Sequence, residues 1–218
     1  VFDAAALVTA ELTIEQADPA VVVESGIDGG TDLLTIEALR AAADVINTAI
    51  TGSAEAADAG RTIVFIDASV NDPAVIVAAI PDGAEVIVLD AASDGVGQIA
   101  AALGGQTGLA AVHIISHGGA GELTLGSATL DAGSIAGHHA DELAVIRAAL
   151  TADADILIYG CDVAAGATGQ AFLVALSEAT GADVAASIDD TGSTARGGDW
   201  DLETRTGLIE AGLIDAPE

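Results

Sequence analysis

The sequence predicts an α/β domain built on a mainly parallel sheet with helices on both faces. Short, continuously apolar runs alternate along the chain with helical patterns, as in a parallel sheet that is covered on both sides. Hydrophobic residues make up 51% of the 218-residue chain but aromatic residues only 2%. The core must therefore be built from Ala, Val, Ile and Leu, whose small volumes let helices pack close to a sheet.

The strands are predicted from apolar runs that begin after Arg61. Five such runs lie at 62–66, 84–89, 109–115, 155–159 and 183–186. A polar hairpin is expected after the third strand, with arms at 122–125 and 128–130, because Gly126-Ser127 separates two short alternating segments. Two further short strands are expected near the end of the chain, at 199–203 and 207–210.

The helices are predicted from the apolar spacing between these strands and from their end signals. The first begins at Asp72-Pro73, a cap followed by a first-turn proline, and ends at Ile80. The others are expected at 95–103, 141–150 and 168–180. Gly104-Gly105 and Gly181 provide the expected ends of the second and the last.

Residues 1–60 differ in pattern from residues 61–218. They contain a possible strand at 20–24, a helical pattern at 33–50 and a small, polar linker at 51–60. We therefore expect an N-terminal segment, removable or regulatory, followed by one domain at 61–218. The chain begins at Val1 and contains no Met, which indicates a fragment or a processed product.

The charge balance excludes several classes of function. The chain has 34 acidic residues and 5 basic ones, a net charge of −29. Such a surface repels nucleic acids and anionic lipid headgroups, and no apolar run is long enough to span a membrane. All five basic residues are Arg, which excludes a P-loop lysine, a Schiff base and the lysine of a response-regulator receiver.

Chemistry is expected where the parallel strands end, because sites of open α/β sheets lie beyond the carboxyl ends of the strands. Asp67, Asp90, His117 and Cys161 follow the first four strands in order. His117 can take the proton of the Cys161 thiol, the only cysteine, and the amides of Gly118 and Cys161 can form an oxyanion hole. The alternative interpretations are a buried structural thiol and a histidine that caps a turn.

The two strand ends resemble those of clan CD cysteine peptidases, the group of caspases, metacaspases, gingipains, clostripain and separase. Ser116-His117-Gly118 follows one apolar strand, and Gly160-Cys161-Asp162-Val163-Ala164 follows the next, about forty residues later. More narrowly, the chain resembles the N-terminal domain of unknown function in very large bacterial surface proteins with cadherin-like or RTX-type repeats. The resemblance lies in the opening Phe2–Ala6, in Tyr159-Gly160-Cys161 and in Gly197–Glu203.

The resemblance implies a caspase-like three-layer sandwich and a cysteine endopeptidase with His117 and Cys161 as catalytic residues. It departs from caspases, which have Gln-Ala-Cys-X-Gly where this chain has Tyr159–Val163. Metacaspases place an acidic residue at the end of the first strand, so Asp67, with Asp162, is expected to bind a basic P1 side chain. Asp67 could instead only cap the turn after its strand.

The resemblance also implies a setting and a set of partners. We expect an extracellular or cell-surface location within a larger secreted protein, and a peptide or protein substrate that includes the chain itself. No cofactor is predicted, although calcium is compatible with the acidic surface. The competing hypothesis is a catalytically dormant module at the start of a giant adhesin.

Histidines other than His117 do not suggest a metal site. His113 lies on the same strand face as His117 but about 13 Å away, so we expect it to pack within the sheet. His138 and His139 are adjacent, and a zinc site needs three or four converging ligands, so we expect both to be solvated.

Overall fold

The computed structural model describes residues 60–71, 73–80 and 83–214 of the chain. The predictions made for the N-terminal segment, including its strand at 20–24, its helix at 33–50 and most of its linker, lie outside the described residues. Among the described residues, no helix is both long and apolar enough to cross a bilayer.

The described residues form an α/β fold with nine strands, five α-helices and one short 3₁₀ helix, Thr194–Arg196. The strands are β1 (Arg61–Asp67), β2 (Glu85–Leu89), β3 (Leu109–Ile115), β4 (Gly118–Gly119), β5 (Glu122–Leu125), β6 (Ala128–Asp131), β7 (Leu150–Tyr159), β8 (Asp183–Ala186) and β9 (Thr204–Arg205). The helices are α1 (Pro73–Ala79), α2 (Gly95–Leu103), α3 (Ala132–Ala136), α4 (Ala140–Ala149) and α5 (Gly166–Thr180).

Six strands form the central sheet in the order β2-β1-β3-β7-β8-β9. All neighbours in it are parallel except β8 and β9. The chain places β1, β3 and β7 in the middle, where β-branched and Leu side chains are buried on both faces. The remaining three strands form a small antiparallel sheet, β4-β5-β6, directly after β3.

The two faces of the central sheet are covered in different ways. On one face, Val112, Ile114 and Ile158 pack in a cluster with residues of α2, α3, α4 and α5. On the other face, Leu157 and Tyr159 pack with Ile76 of α1 and with Ile214 near the end of the described chain. A sheet with apolar residues on both faces must be covered twice, and here an extended C-terminal segment supplies part of the second cover.

Most predicted elements are confirmed, and the α/β class with its mainly parallel sheet is confirmed with them. The strand at 109–115, the helix at 95–103 and the strand at 183–186 have the predicted bounds. The structure adds α3, a five-residue helix opened by an Asp131 capping box. Helices this short carry little apolar periodicity, so the pattern at 132–136 did not indicate one.

The two strands expected near the end of the chain were wrong. The strand in this part of the described chain is β9, Thr204–Arg205; Asp199 forms only an isolated bridge with Thr191, and neither 199–203 nor 207–210 is a strand. Polar side chains satisfy the backbone there instead: Asp199 accepts from the amide of Asp201, and Asp155 accepts from the amides of Glu210 and Ala211. These side-chain bonds take the place of the strand pairing that was expected at 199–203 and 207–210.

Candidate active site

The register of two central strands brings His117 and Cys161 to the same edge of the sheet. β3 and β7 are parallel neighbours, and Ile115 pairs with Tyr159 in the last step of their ladder. The amide of Ser116 donates to the Tyr159 carbonyl at 3.0 Å, so the pairing continues one residue further. His117 and Cys161 each follow that last pair by two residues, on strands about 4.8 Å apart.

The backbone of His117 is held by the small sheet. The amide of Thr124 on β5 donates to the His117 carbonyl at 2.8 Å. The hydroxyl of Ser116 donates to the Thr124 carbonyl. The backbone of Thr124 thus bonds to the side chain of Ser116 and to the backbone of His117. His117 itself is exposed to solvent.

The ring of His117 is oriented by a carbonyl from a distant part of the chain. Its Nε2 atom lies 3.3 Å from the carbonyl oxygen of Ser69, in the turn after β1. A carbonyl oxygen can only accept a hydrogen bond, so this contact requires the hydrogen of the neutral ring to be on Nε2. Nδ1 then carries the lone pair and is the nitrogen available as a base.

Cys161 lies at a sharp turn just beyond β7. The thiol is partly exposed, and its Sγ atom donates to the carbonyl of Thr191 at 3.8 Å. The next residue, Asp162, has φ 62°, the left-handed region that is uncommon for residues other than glycine. This conformation turns the chain away from the sheet, and strained backbone of this kind concentrates at functional sites.

Within the described residues, no hydrogen bond joins the His117 ring to the Cys161 thiol. The ring is bonded to Ser69 and the thiol to Thr191. Such bonds are often long or absent in a free enzyme and tighten only when a substrate is bound. The structure thus brings the two strand ends together at a solvent-accessible edge, and direct contact between the side chains stays a prediction.

Glycine at position 118 allows the two strand ends to lie against each other. A Cβ atom at this position would lie 2.3 Å from Val163 Cγ2 and 3.1 Å from the Cys161 carbonyl oxygen. Carbon atoms do not approach to 2.3 Å, so a side chain here would require Val163 or one of the two strand ends to shift. The role of the Gly118 and Cys161 amides in an oxyanion hole stays a prediction.

The amides beyond Cys161 are bonded to the loop that follows β8. Asp162 N donates to Asp189 O at 2.8 Å, and Ala164 N donates to Ser187 O at 2.8 Å. The Cys161 amide takes part in neither bond. This loop, residues 187–203, therefore forms one wall beside the thiol.

Asp67 is buried at the end of β1, and both of its carboxylate oxygens accept hydrogen bonds. Oδ1 accepts from the amide and the hydroxyl of Ser69, at 2.8 and 2.6 Å, and Oδ2 accepts from the amide of Gly126 at 2.5 Å. Burial by itself raises the pKa of Asp67, but these bonds and the nearby His117 ring outweigh it and leave the pKa below its ordinary value. This is the geometry of a carboxylate that caps a turn, and its predicted contact with a substrate stays a prediction.

The surroundings of Cys161 are acidic. Asp162 is exposed next to it. On the adjoining loop, Asp189, Asp199 and Glu203 have carboxylate oxygens within 4.8 Å of one another, close enough for one cation to contact all three. No local pattern in the sequence indicates this group, because its members are spread over fifteen positions that only the fold brings together.

The remaining histidines are placed as follows. His113 is buried in the sheet as predicted, and its ring stacks on Tyr159 with centroids 6.0 Å apart. His138 is exposed, as expected. The expectation for His139 was wrong: its side chain is buried at the N-terminal end of α4, where the His139 amide donates to the Ser134 carbonyl and the His139 carbonyl accepts from the Leu143 amide.

The comparisons with known proteins give one match. Residues 63–218 match the sequence profile of a domain family described as domain of unknown function DUF4347. No curated protein and no solved structure matches the chain.

Proposed function

The chain belongs to the DUF4347 family, and for this member we propose a cysteine endopeptidase of caspase-like type. Cys161 is the nucleophile and His117 the general base and acid. The observation that carries the proposal is the pairing of Ile115 with Tyr159, which fixes both strand ends at one edge of the sheet. Both side chains are accessible there, as a polypeptide substrate requires.

In the proposed reaction the base is Nδ1 of His117, the ring nitrogen that is not bonded to the Ser69 carbonyl. Nδ1 of His117 takes the proton of the Cys161 thiol as Sγ attacks the carbonyl carbon of the scissile peptide. The oxygen of the tetrahedral intermediate accepts from the amides of Gly118 and Cys161. When the intermediate collapses, the C–N bond breaks and the leaving amine takes the proton from His117.

The resulting thioester is then hydrolysed. His117 accepts a proton from a water molecule, whose oxygen attacks the thioester carbonyl. The C–S bond breaks, the acid product leaves, and the proton returns to Sγ. A side-chain rotation at Cys161, from the Thr191 carbonyl toward His117, begins the cycle.

A preference for a basic P1 side chain is supported by the charges around the thiol. The exposed Asp162 and the carboxylates of Asp189, Asp199 and Glu203 create a negative potential that attracts Arg or Lys. In contrast, the buried Asp67 carboxylate already accepts three hydrogen bonds. The natural substrate in this proposal is a basic site in a large secreted surface protein, including the chain's own protein.

The second candidate is a dormant module that keeps the fold without activity. The bond from the Cys161 thiol to Thr191, in place of one to His117, favours it. The two candidates differ in one property, the reactivity of the thiol toward a peptide-like electrophile.

An activity-based probe separates the two candidates. A peptidyl acyloxymethyl ketone with Arg at P1 should label the wild-type protein covalently at Cys161. Labelling should be lost in Cys161→Ala and reduced at least about a hundredfold in His117→Gln, the usual contribution of a general base. Absence of labelling across probes with basic, acidic and apolar P1 residues would overturn the peptidase proposal and favour the dormant module.

A further inference from the structure

We propose that Asp67 is a positioning residue that holds the carbonyl of Ser69 against the ring of His117. The inference rests on the proposed function, since it assigns the group that orients the base. It gives Asp67 a structural task within the site, different from the substrate contact expected from the resemblance.

The turn after β1 is fixed by hydrogen bonds to Asp67. Oδ1 of Asp67 accepts from both the amide and the hydroxyl of Ser69. The amide of Val70 donates to the Asp67 carbonyl at 3.1 Å, which closes the turn. Three bonds therefore fix the Ser69 peptide, although the residue itself is exposed on the surface.

The same turn contacts the ring of His117. The Ser69 carbonyl oxygen is the atom that lies 3.3 Å from Nε2 of His117. A base that is hydrogen-bonded through one nitrogen presents the other in a fixed direction, which is the logic of nucleophile, base and orienting group. The position of Ser69 therefore decides where Nδ1 points.

Asp67 is also bonded to the small sheet. Oδ2 of Asp67 accepts from the amide of Gly126, between β5 and β6. The same hairpin holds the His117 backbone through Thr124. One buried carboxylate thus joins the segment that orients the ring to the segment that holds the backbone.

Substitution by Asn tests the role because an amide cannot replace the carboxylate here. Asp67 faces N–H or O–H donors on both oxygens. In Asp67→Asn, whichever way the amide is turned, its NH₂ group faces another donor and one bond is lost. Asp90→Asn is the matched control: Asp90 caps the turn after β2 in the same manner, through Ala92 and Ser93, without a contact to His117.

The first measurement follows the ring directly and does not need catalysis. Nitrogen-15 NMR of the wild-type protein at pH 8 should show His117 with hydrogen on Nε2. Asp67→Asn and, to a smaller extent, Ser69→Ala should show a mixture of the two tautomers, while Asp90→Asn and Ser69→Thr should match the wild type. Spectra of Asp67→Asn identical to the wild type would overturn the proposal, whether or not the protein is a peptidase.

The second measurement separates positioning from substrate binding. Labelling rates are compared for two acyloxymethyl ketones, one with Arg and one with Leu at P1. Asp67→Asn should slow both at least about tenfold and to the same extent, because the base is misdirected for every substrate. A loss confined to the Arg probe would show that Asp67 binds the P1 side chain and would overturn the proposal. If Asp67→Asn does not fold, Ser69→Ala, which removes one surface bond, gives the same comparison.

Discussion

Ile115 on β3 is the register partner of Tyr159 on β7, and each lies two residues before one member of the predicted catalytic pair. Neighbouring strands in one register leave little freedom in where His117 and Cys161 emerge. The sheet therefore fixes the positions of the two residues of the proposed site, and the loops after β1 and β8 surround them.

Replacing Gly118 by alanine should damage both stability and reactivity. The new Cβ would lie 2.3 Å from Val163 Cγ2, and Val163 is fully buried and cannot yield freely. We expect a loss of about 1–3 kcal/mol in the free energy of unfolding, measured by urea denaturation, as for other overpacked sites. Gly212→Ala is the control, because a Cβ there has no atom within 4 Å. Equal stability of the two variants would contradict the close contact of the strand ends.

Asp162 should tolerate glycine better than valine. Its φ of 62° costs an ordinary side chain about 1 kcal/mol, a cost that glycine does not have and that a β-branched residue increases. Asp162→Gly should therefore unfold at the same or a higher temperature than the wild type, and Asp162→Val at a lower one. If valine were as stable as glycine, the turn after Cys161 would not have the left-handed conformation.

His113 should make the fold sensitive to mild acid. Burial lowers the pKa of His113 to about 4, below the ordinary value of 6.5. The unfolded chain therefore binds a proton between pH 6.5 and 4 that the folded protein excludes, so stability falls as the pH drops through this window. The loss reaches at most about 3.4 kcal/mol, from 1.36 kcal/mol for each pKa unit between 6.5 and about 4.

A variant isolates this contribution. His113→Gln has no group that titrates there, so its free energy of unfolding should vary less between pH 7 and pH 4 than that of the wild type. A smaller pH dependence in His113→Gln would show that the buried His113 ring, which stacks on Tyr159, causes the acid sensitivity of the wild type. Parallel curves for the two proteins would assign the acid sensitivity to other groups.

The sequence predicted the buried parallel strands well because their signals are local, but it missed the first five residues of β7, which begins at Leu150, and the short edge strand β9. Continuous apolar runs identify buried parallel strands, and Gly104 and Gly181 mark where helices end. These signals gave both ends of the strand at 109–115, and they placed His117 and Cys161 just after the ends of two strands.

The surroundings of the site could not be predicted, because they depend on contacts between distant segments. Ser69 lies 48 residues before His117, and Thr191 lies 30 residues after Cys161. Nothing in the local sequence says that either carbonyl faces the site. The burial of Asp67 could not be predicted either, because the amide that donates to its Oδ2 atom belongs to Gly126, in a hairpin 59 residues away.

The central claim is that the imidazole of His117 activates the thiol of Cys161, and the alkylation rate of Cys161 by iodoacetamide as a function of pH tests it most directly. An ordinary cysteine reacts mainly above about pH 8, where the thiolate forms. If the imidazole activates the thiol, the wild-type protein should react rapidly down to about pH 6–7. His117→Gln should lose this reactivity at neutral pH, and Asp90→Asn should retain it. Identical pH profiles for the wild type and His117→Gln would contradict the claim.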